Sequence, residues 1–312
     1  MIKRSIALAV LATLASGAAL AQSSVTLYGR LNVTAERQKA AGTESTYSLE
    51  NNSSFLGLKG SEDLGGGLKA GFIIESSFDP TTGTASTSTF WGRQSELNIG
   101  SEKLGMIRVG NFDAESELAT ADVVSMHNHD TGTSSDALYD YSSTFKQNKV
   151  AYRAPEFVKG LTLEAATAER AAGQTQRPVD LAANYELGAL KLGAGYSKAN
   201  GAKAFSARAA YGLGAFTFGG YAARFTSAAD QSQNTFRLAG MYVLGASEFH
   251  ANVGYSGKLG GAANTQANQA TLAYNYNLSK RTKVYGFVTR LDYKSTDATD
   301  FTSFAVGVRH LF

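Results

Sequence analysis

The sequence contains no cysteine and only three prolines among its 312 residues. Without cysteine there can be no disulfide, no thiol chemistry and no cysteine-based metal site, so the fold must draw its stability from another source. Scarce proline together with 33 glycines, 15 tyrosines and 17 phenylalanines favours an all-β protein with tight turns.

Beyond residue 21 the sequence also lacks an apolar run of 18 residues, which excludes a transmembrane helix from that part of the chain. The first 21 residues have a different pattern: Lys3 and Arg4 precede a short apolar run, and Ala19 and Ala21 supply small residues before a cleavage point. This pattern predicts a signal peptide at 1–21, for export, and one mature domain at 22–312. Its removal leaves a nearly neutral chain, which indicates no nucleic-acid partner.

Apolar and polar residues alternate from Val25 onward, as in Leu31 and Val33 set against Arg30 and Asn32. A period of two with one apolar face is typical of a strand that separates two environments. We count sixteen such segments, in which short turns alternate with longer loops, as in outer-membrane barrels. A soluble β-sandwich would alternate as well, but the charge-rich polar face and the tyrosines at strand ends favour a membrane. The predicted fold is therefore an all-β, 16-stranded antiparallel transmembrane β-barrel, closed because hydrocarbon tolerates no unpaired edge.

The longest interruption of this pattern is residues 111–146, which lie between strands predicted at 106–110 and 149–153. A loop of this length in a compact domain is usually functional or disordered. If this loop folds into the interior of a barrel, its acids face basic residues of the wall and form a constriction that filters ions by the sign of their charge. The alternative is that these are ordinary solvated charges of a polar lumen and a polar loop. The candidate constriction acids are Asp113, Glu115, Glu117 and Asp122, and the candidate basic wall is Arg30, Lys59, Arg108, Lys149 and Arg153.

Catalytic and metal sites have little support in the sequence. His127, His129 and Asp130 lie close together, but two histidines on one loop without a third ligand at a defined spacing are a weak metal motif. No histidine is placed to activate a nucleophile, so we predict no catalytic residue and no enzyme activity. No cofactor is predicted either, because the Gly65 to Gly67 run lies in a strand–strand turn without a following helix.

Four stretches resemble Gram-negative general porins of the type found in beta-proteobacteria. They are residues 22–29 (QSSVTLYG), 57–72 (GLKGSEDLGGGLKAGF), 275–282 (NYNLSKRT) and 306–312 (VGVRHLF). They occur in the family's order and extend over the whole chain, and the second and fourth are the most specific.

The resemblance implies a homotrimer of 16-stranded barrels in the outer membrane, in contact with its lipid, each barrel with its third external loop folded inward. It also implies that Phe312 is an assembly signal read by the barrel-assembly machinery. Two expected pore arginines are absent, because Phe55 and Asn111 stand where family members often carry arginine.

These features together predict an outer-membrane diffusion channel for small hydrophilic solutes and ions, with a weak preference for anions. The preference is expected because bases outnumber acids on the predicted luminal face. Two alternatives remain open: a substrate-specific porin with saturable currents, and a non-conducting adhesion or structural barrel.

Overall fold

The computed structural model describes residues 24–85, 89–118, 145–258, 260–262, 264–294 and 300–312. The predicted signal peptide, Asp122 and the His127 and His129 motif lie outside these residues. In the first half of the chain the strands are β1 (Ser24–Ala40), β2 (Thr46–Asn51), β3 (Phe55–Gly65), β4 (Leu68–Asp79), β5 (Thr84–Ala85), β6 (Gln94–Ser101), β7 (Gly105–Asn111), β8 (Lys149–Arg153) and β9 (Leu161–Ala168). The helix α1 (Glu115–Leu118) lies between β7 and β8.

The second half of the chain consists of longer strands joined in sequence. They are β10 (Val179–Leu187), β11 (Leu190–Ala199), β12 (Ala202–Leu213), β13 (Phe216–Thr226), β14 (Ser232–Leu244), β15 (Ser247–Ser256), β16 (Ala267–Asn277), β17 (Thr282–Tyr293) and β18 (Phe301–Leu311). Among the residues described, no helix has the length and apolar character needed to cross a membrane.

The strands form a closed antiparallel barrel. Each barrel strand pairs with its neighbour in the sequence, and β1 closes the ring by pairing with β18 on one side and with β2 and β3 on the other. The strands β2 and β3 act as one barrel strand interrupted at residues 52–54, and the two-residue β5 pairs only with β4, so the barrel has sixteen strands. The predicted fold class is confirmed.

The alternation of polar and apolar residues along each strand corresponds to the luminal and outer faces of the barrel. On β1, Asn32 and Thr34 face the lumen and are buried, whereas Leu27 and Leu31 are exposed on the outer face. Outer aromatic rings lie side by side on neighbouring strands near the short turns, among them Phe216, Tyr242, Phe249 and Tyr274. These rings match the interfacial girdle expected of a barrel in lipid.

Tight turns occupy one end of the barrel and most of the longer loops the other. The turn between β11 and β12 is an exception on the long-loop side, because it consists of Asn200 and Gly201 alone. Both residues have positive φ, 51° and 82°, which suits a two-residue hairpin turn with primed geometry.

A network of polar side chains stabilises the barrel seam, which is the pairing of β1 with β18 that closes the ring. The Tyr285 hydroxyl donates to Asn32 Oδ1 at 2.7 Å, and Asn52 Nδ2 donates to the Tyr285 hydroxyl at 3.1 Å. The backbone amide and carbonyl of Phe312 pair with those of Gly29 at 3.2 and 3.1 Å. The last residue therefore continues the pairing that closes the barrel.

Candidate pore constriction

The root of the third loop lies inside the barrel. Near the end of β7 the backbone of Gly110 has a φ of +135°. Just after this strand, the ring of Phe112 packs against Ala151 and Ala166 on the luminal side of β8 and β9. Lys149 Nζ donates to the carbonyl oxygens of Phe112 and Asp113 at 3.2 and 2.9 Å. The inward-folded third loop is thus confirmed for its first residues.

The helix α1 docks the loop on the next part of the wall, where it contacts β10 and β11. The backbone amide of Ser116 donates to Asp180 Oδ1 at 3.2 Å, and the Ser116 hydroxyl donates to Asp180 Oδ2. A side chain at Gly195 would collide with Ser116, since a Cβ built there lies 2.6 Å from the Ser116 carbonyl oxygen. The glycine lets the loop backbone lie directly on the wall.

Beside this contact, two bases and three acids form what we call the loop-root cluster. Arg108 donates from Nη2 to Glu96 Oε2 at 2.8 Å and from Nη1 to Glu164 Oε1 at 2.9 Å. Arg153 Nη2 lies 2.9 Å from Glu164 Oε2 and 3.1 Å from Glu115 Oε2. Arg108 also reaches Glu115 at 3.3 Å. The cluster consists of Glu96, Arg108, Glu115, Arg153 and Glu164.

Glu115 is the loop acid that meets the predicted basic wall. It contacts Arg108 and Arg153 directly, at ion-pair distance, and not across an open lumen. Burial raises the pKa of the Glu115 carboxyl above its ordinary value, although the Arg153 and Arg108 guanidinium groups act in the opposite direction. The loop root therefore holds a carboxyl whose charge depends on its pairing with the wall.

The other predicted loop acids have different surroundings. Asp113 forms an ion pair with Lys146 at the far end of the same loop. Glu117 lies on α1, where its backbone amide donates to the Ala114 carbonyl oxygen at 3.1 Å. Asp122 lies outside the described residues.

The remaining two wall bases, Arg30 and Lys59, lie elsewhere on the lumen wall. Arg30 on β1 is paired in register with Phe55 on β3, and its Nε and Nη2 donate to the Ser53 carbonyl oxygen at 3.1 and 2.7 Å. The Arg30 guanidinium carbon lies 5.3 Å from the centre of the Phe55 ring. A second guanidinium, that of Arg93, lies 4.5 Å from the same ring centre.

The groups around Phe55 are tied to one another by a single carboxylate. Glu75 accepts from the Tyr28 hydroxyl at 2.6 Å and from Arg93 Nε at 2.8 Å. Lys59 Nζ lies 4.8 Å from the centre of the Tyr28 ring, and Tyr28 meets Phe55 edge to face with ring centres 5.9 Å apart. We call this group the Phe55 patch, and its members are Tyr28, Arg30, Phe55, Lys59, Glu75 and Arg93.

The candidate site residues did not include six members of these clusters: Tyr28, Phe55, Glu75, Arg93, Glu96 and Glu164. Glu96 alternates with Leu97 and is luminal by that pattern, so a signal was present. Arg93 precedes β6 in a loop, where alternation gives no direction. Phe55 was noted only as the absence of an arginine, since its contacts with two guanidinium groups depend on how distant strands pair.

Comparisons with known proteins agree with this geometry. The family model described as Gram-negative porin matches residues 7–296. Outer membrane porin protein 32 of Delftia acidovorans is 33% identical, over 99% of this chain and 94% of that protein. A second outer membrane porin protein, from Bordetella pertussis, is 27% identical over 100% of both chains. The anion-selective porin from Comamonas acidovorans has the same fold, with a TM-score of 0.78 at 24% identity, covering 93% of this chain and 100% of that one. The resemblance seen in the sequence is confirmed, and the chain belongs to the Gram-negative porin family.

Proposed function

We propose that this protein is a general diffusion porin that passes small hydrophilic solutes and ions, with residues 111–146 limiting their size. The observation that carries the proposal is the docking of the loop root on the lumen wall through Phe112 and the Ser116–Asp180 contacts. A loop held there narrows a water-filled passage without closing a chemical site. The protein relatives are themselves porins, which are channels.

A weak preference for anions forms the finer part of the proposal. In the loop-root cluster the acids Glu96, Glu115 and Glu164 match or exceed the charge of the paired arginines. In the Phe55 patch Glu75 pairs with Arg93, whereas Lys59 is exposed to the lumen. Because a polar lumen with low-dielectric walls focuses the field of its fixed charges, a base that stays in water, as Lys59 does, favours anions.

Conductance of the purified protein in a planar bilayer tests the proposal. Under a KCl gradient we expect steady currents whose size grows in proportion to salt concentration and a reversal potential of the sign expected for chloride preference. A reversal potential of the opposite sign would overturn the anion preference. A barrel that inserts and stays silent would overturn the channel function and favour the structural or adhesion role.

The substrate-specific porin differs in one measurable way. A binding site in the lumen makes solute flux saturate and lets the solute block the ion current, whereas a diffusion porin shows neither effect. Liposome swelling with uncharged sugars of increasing size, at rising concentration, separates the two. General diffusion is supported by a swelling rate that rises linearly with sugar concentration and is lower for larger sugars.

Assembly and location complete the proposal. We infer that residues 1–21 direct export, that the barrel inserts in the outer membrane, and that it forms a homotrimer. The trimer is supported by the fold that this chain shares with OmpT of Vibrio cholerae, solved in a trimer form, at a TM-score of 0.70 and 15% identity. Phe312 would serve recognition by the barrel-assembly machinery, and its pairing with Gly29 at the seam supports a role in closure. N-terminal sequencing of the membrane-fraction protein and its mass in detergent test cleavage and trimer formation.

A further inference from the structure

Three bases lie close together on the outer face of the barrel, at the end that carries most of the longer loops. Lys198 on β11 and Lys203 on β12 stand directly opposite each other in the register, just beside the turn that joins these strands. Arg224 on β13 is in register with Phe205, the next outward-facing residue after Lys203. Because neighbouring strands are about 4.8 Å apart, one ligand can reach all three side chains. We call Lys198, Lys203 and Arg224 the outer-rim bases.

The outer-rim bases have neutral partners. Lys198 Nζ donates to the amide oxygen of Gln176 at 2.6 Å, and Arg224 Nη1 donates to that of Asn234 at 3.5 Å. Within the part of the chain that the structure describes, none of the three bases forms an ion pair with a carboxylate. Like charges directly opposite each other destabilise a pair of strands, so an anion bound between Lys198 and Lys203 would relieve their repulsion.

An apolar hollow of about 440 Å³ lies on the outer face beside these bases. Its floor includes Ala183 and Ala194, which face each other in register on β10 and β11 and leave the surface low. Larger side chains border it, among them Leu181, Tyr196 and Phe205. Apolar walls and a volume of this size suit a hydrocarbon chain.

The bases and the hollow follow one another along the same two strands. Tyr196 is the outward-facing residue next to Lys198, and Phe205 is the one next to Lys203, so a ring separates each base from the hollow. Aromatic rings concentrate where acyl chains give way to headgroups. The sequence of base, ring and apolar hollow therefore matches the sequence of phosphate, interface and acyl chain in an anionic lipid. Because the turn between β11 and β12 has only two residues, this hairpin adds no longer loop beyond its lysines.

We propose that the outer-rim bases and the adjacent hollow form a binding site for an acylated glycolipid of the outer leaflet, whose headgroup bears two phosphates. The phosphates contact the three bases, and an acyl chain lies over Ala183 and Ala194. Three positive charges on three neighbouring strands exceed what the single phosphate of a phospholipid can neutralise, so a headgroup with two phosphates is the better match. The proposal rests on the outer-membrane porin function proposed above, which places the long-loop end in that leaflet.

Native mass spectrometry of the delipidated protein in detergent tests the charged half of the site. The probes are diphosphoryl lipid A, monophosphoryl lipid A and phosphatidylglycerol, and we expect the protein to bind them in that order, the first most tightly. The double variant Lys203→Gln and Arg224→Gln should bind diphosphoryl lipid A about tenfold more weakly. The matched control is Lys280→Gln with Arg281→Gln, which removes two exposed bases from the turn at the opposite end of the barrel and should leave binding unchanged.

The apolar half of the site has its own test. Ala183→Phe fills the hollow and leaves all three bases in place, so it should also weaken the binding of diphosphoryl lipid A. Its control is Ala209→Phe, at an outward position of β12 that does not line the hollow. Heat-dependent gel mobility equal to that of the wild type shows that each variant is folded.

Three results would overturn the proposal. They are equal binding of phosphatidylglycerol and diphosphoryl lipid A, unchanged binding by the double variant, and equal binding by Ala183→Phe and its control. Should the double variant fail to fold, the wild-type protein decides, because equal affinity for the diphosphoryl and monophosphoryl lipids contradicts a site for two phosphates.

Conductance separates this inference from the porin function. A wild-type protein that conducts but shows no preference for diphosphoryl lipid A would overturn the lipid site and leave the channel function standing. A silent barrel that binds this lipid through the outer-rim bases would overturn the channel function and support the lipid site.

Discussion

Replacing Gly195 by alanine tests whether the lumen wall holds the constriction loop. An added Cβ lies 2.6 Å from the carbonyl oxygen and 2.7 Å from the Cβ of Ser116, whereas unstrained contacts between such atoms begin at about 3.5 Å. One side must therefore move by about 1 Å. The wall is fixed by backbone ladders to β10 and β12, so we expect the loop to move away from it, toward the lumen axis.

The energetic consequence follows from the hydrogen bonds that hold Ser116. Its amide and hydroxyl both donate to Asp180, and a hydrogen bond to a charged group contributes about 1.5–3 kcal/mol. Because about 1.4 kcal/mol changes an equilibrium tenfold, loss of one bond shifts the ratio of docked to undocked loop by about one or two orders of magnitude. The loop should then fluctuate on the timescale of the current record.

Single-channel recording is the assay for Gly195→Ala. We expect a lower mean conductance with added current noise, and slower liposome swelling for the larger sugars. Gly212→Ala is the matched control, because Gly212 lies on the same luminal parity in β12 and an added Cβ there is 3.9 Å from its nearest neighbour, Ala189. Conductance and noise equal to those of the control would refute the docking argument, and a larger conductance would refute the inward direction of the shift.

Three further predictions concern charge, stability and assembly. Since burial raises the pKa of Glu115 above its ordinary value of 4.5, this loop carboxyl should take up its proton at a higher pH than an ordinary glutamate. The chloride preference should therefore rise as pH falls toward 4.5, and Glu115→Gln should flatten that part of the pH profile. Asn52→Ala removes two donated hydrogen bonds at the barrel seam, to Tyr285 and Thr34, and should lower the free energy of unfolding by about 1–3 kcal/mol. Urea unfolding followed by the fluorescence of Trp91 checks this, with Gln174→Ala in an exposed loop as control. An equal midpoint of unfolding for the two variants would contradict the role of the seam. Deleting Phe312 removes its backbone pairing with Gly29 and should reduce the amount of barrel recovered in outer-membrane fractions, whereas unchanged recovery would argue against an assembly role.

Much of the barrel could be predicted from the sequence because its governing pattern is local. The direction of each side chain in a strand depends only on its parity, so Leu31 and Asn32 could be assigned to opposite faces before any pairing was known. The inward course of the third loop came from resemblance. Its length gave only the expectation of a functional or disordered segment.

The arrangement of charges could not be predicted in the same way. Alternation predicts Arg108 and Lys149 on the luminal face, yet parity does not tell which carboxylates from neighbouring strands reach them. Arg108 meets Glu164, 56 residues later in the chain, only because β7, β8 and β9 pair in one particular register. A surplus of bases counted along the sequence therefore indicates the overall sign of the lumen, but not where its field is strongest.

The position of the excess charge follows from how the loop is held. Where α1 and Phe112 press against the wall, water is removed, and a charge buried without partners there would cost several kcal/mol. Arg108 and Lys149, 8% and 1% exposed, therefore had to be matched by carboxylates and carbonyl oxygens as a condition of docking. A base can act on passing ions only where the wall stays wet, as at Lys59, whereas Arg30 is 4% exposed. Arg108 and Lys149, which anchor the loop root, are therefore poorly placed to act on passing ions.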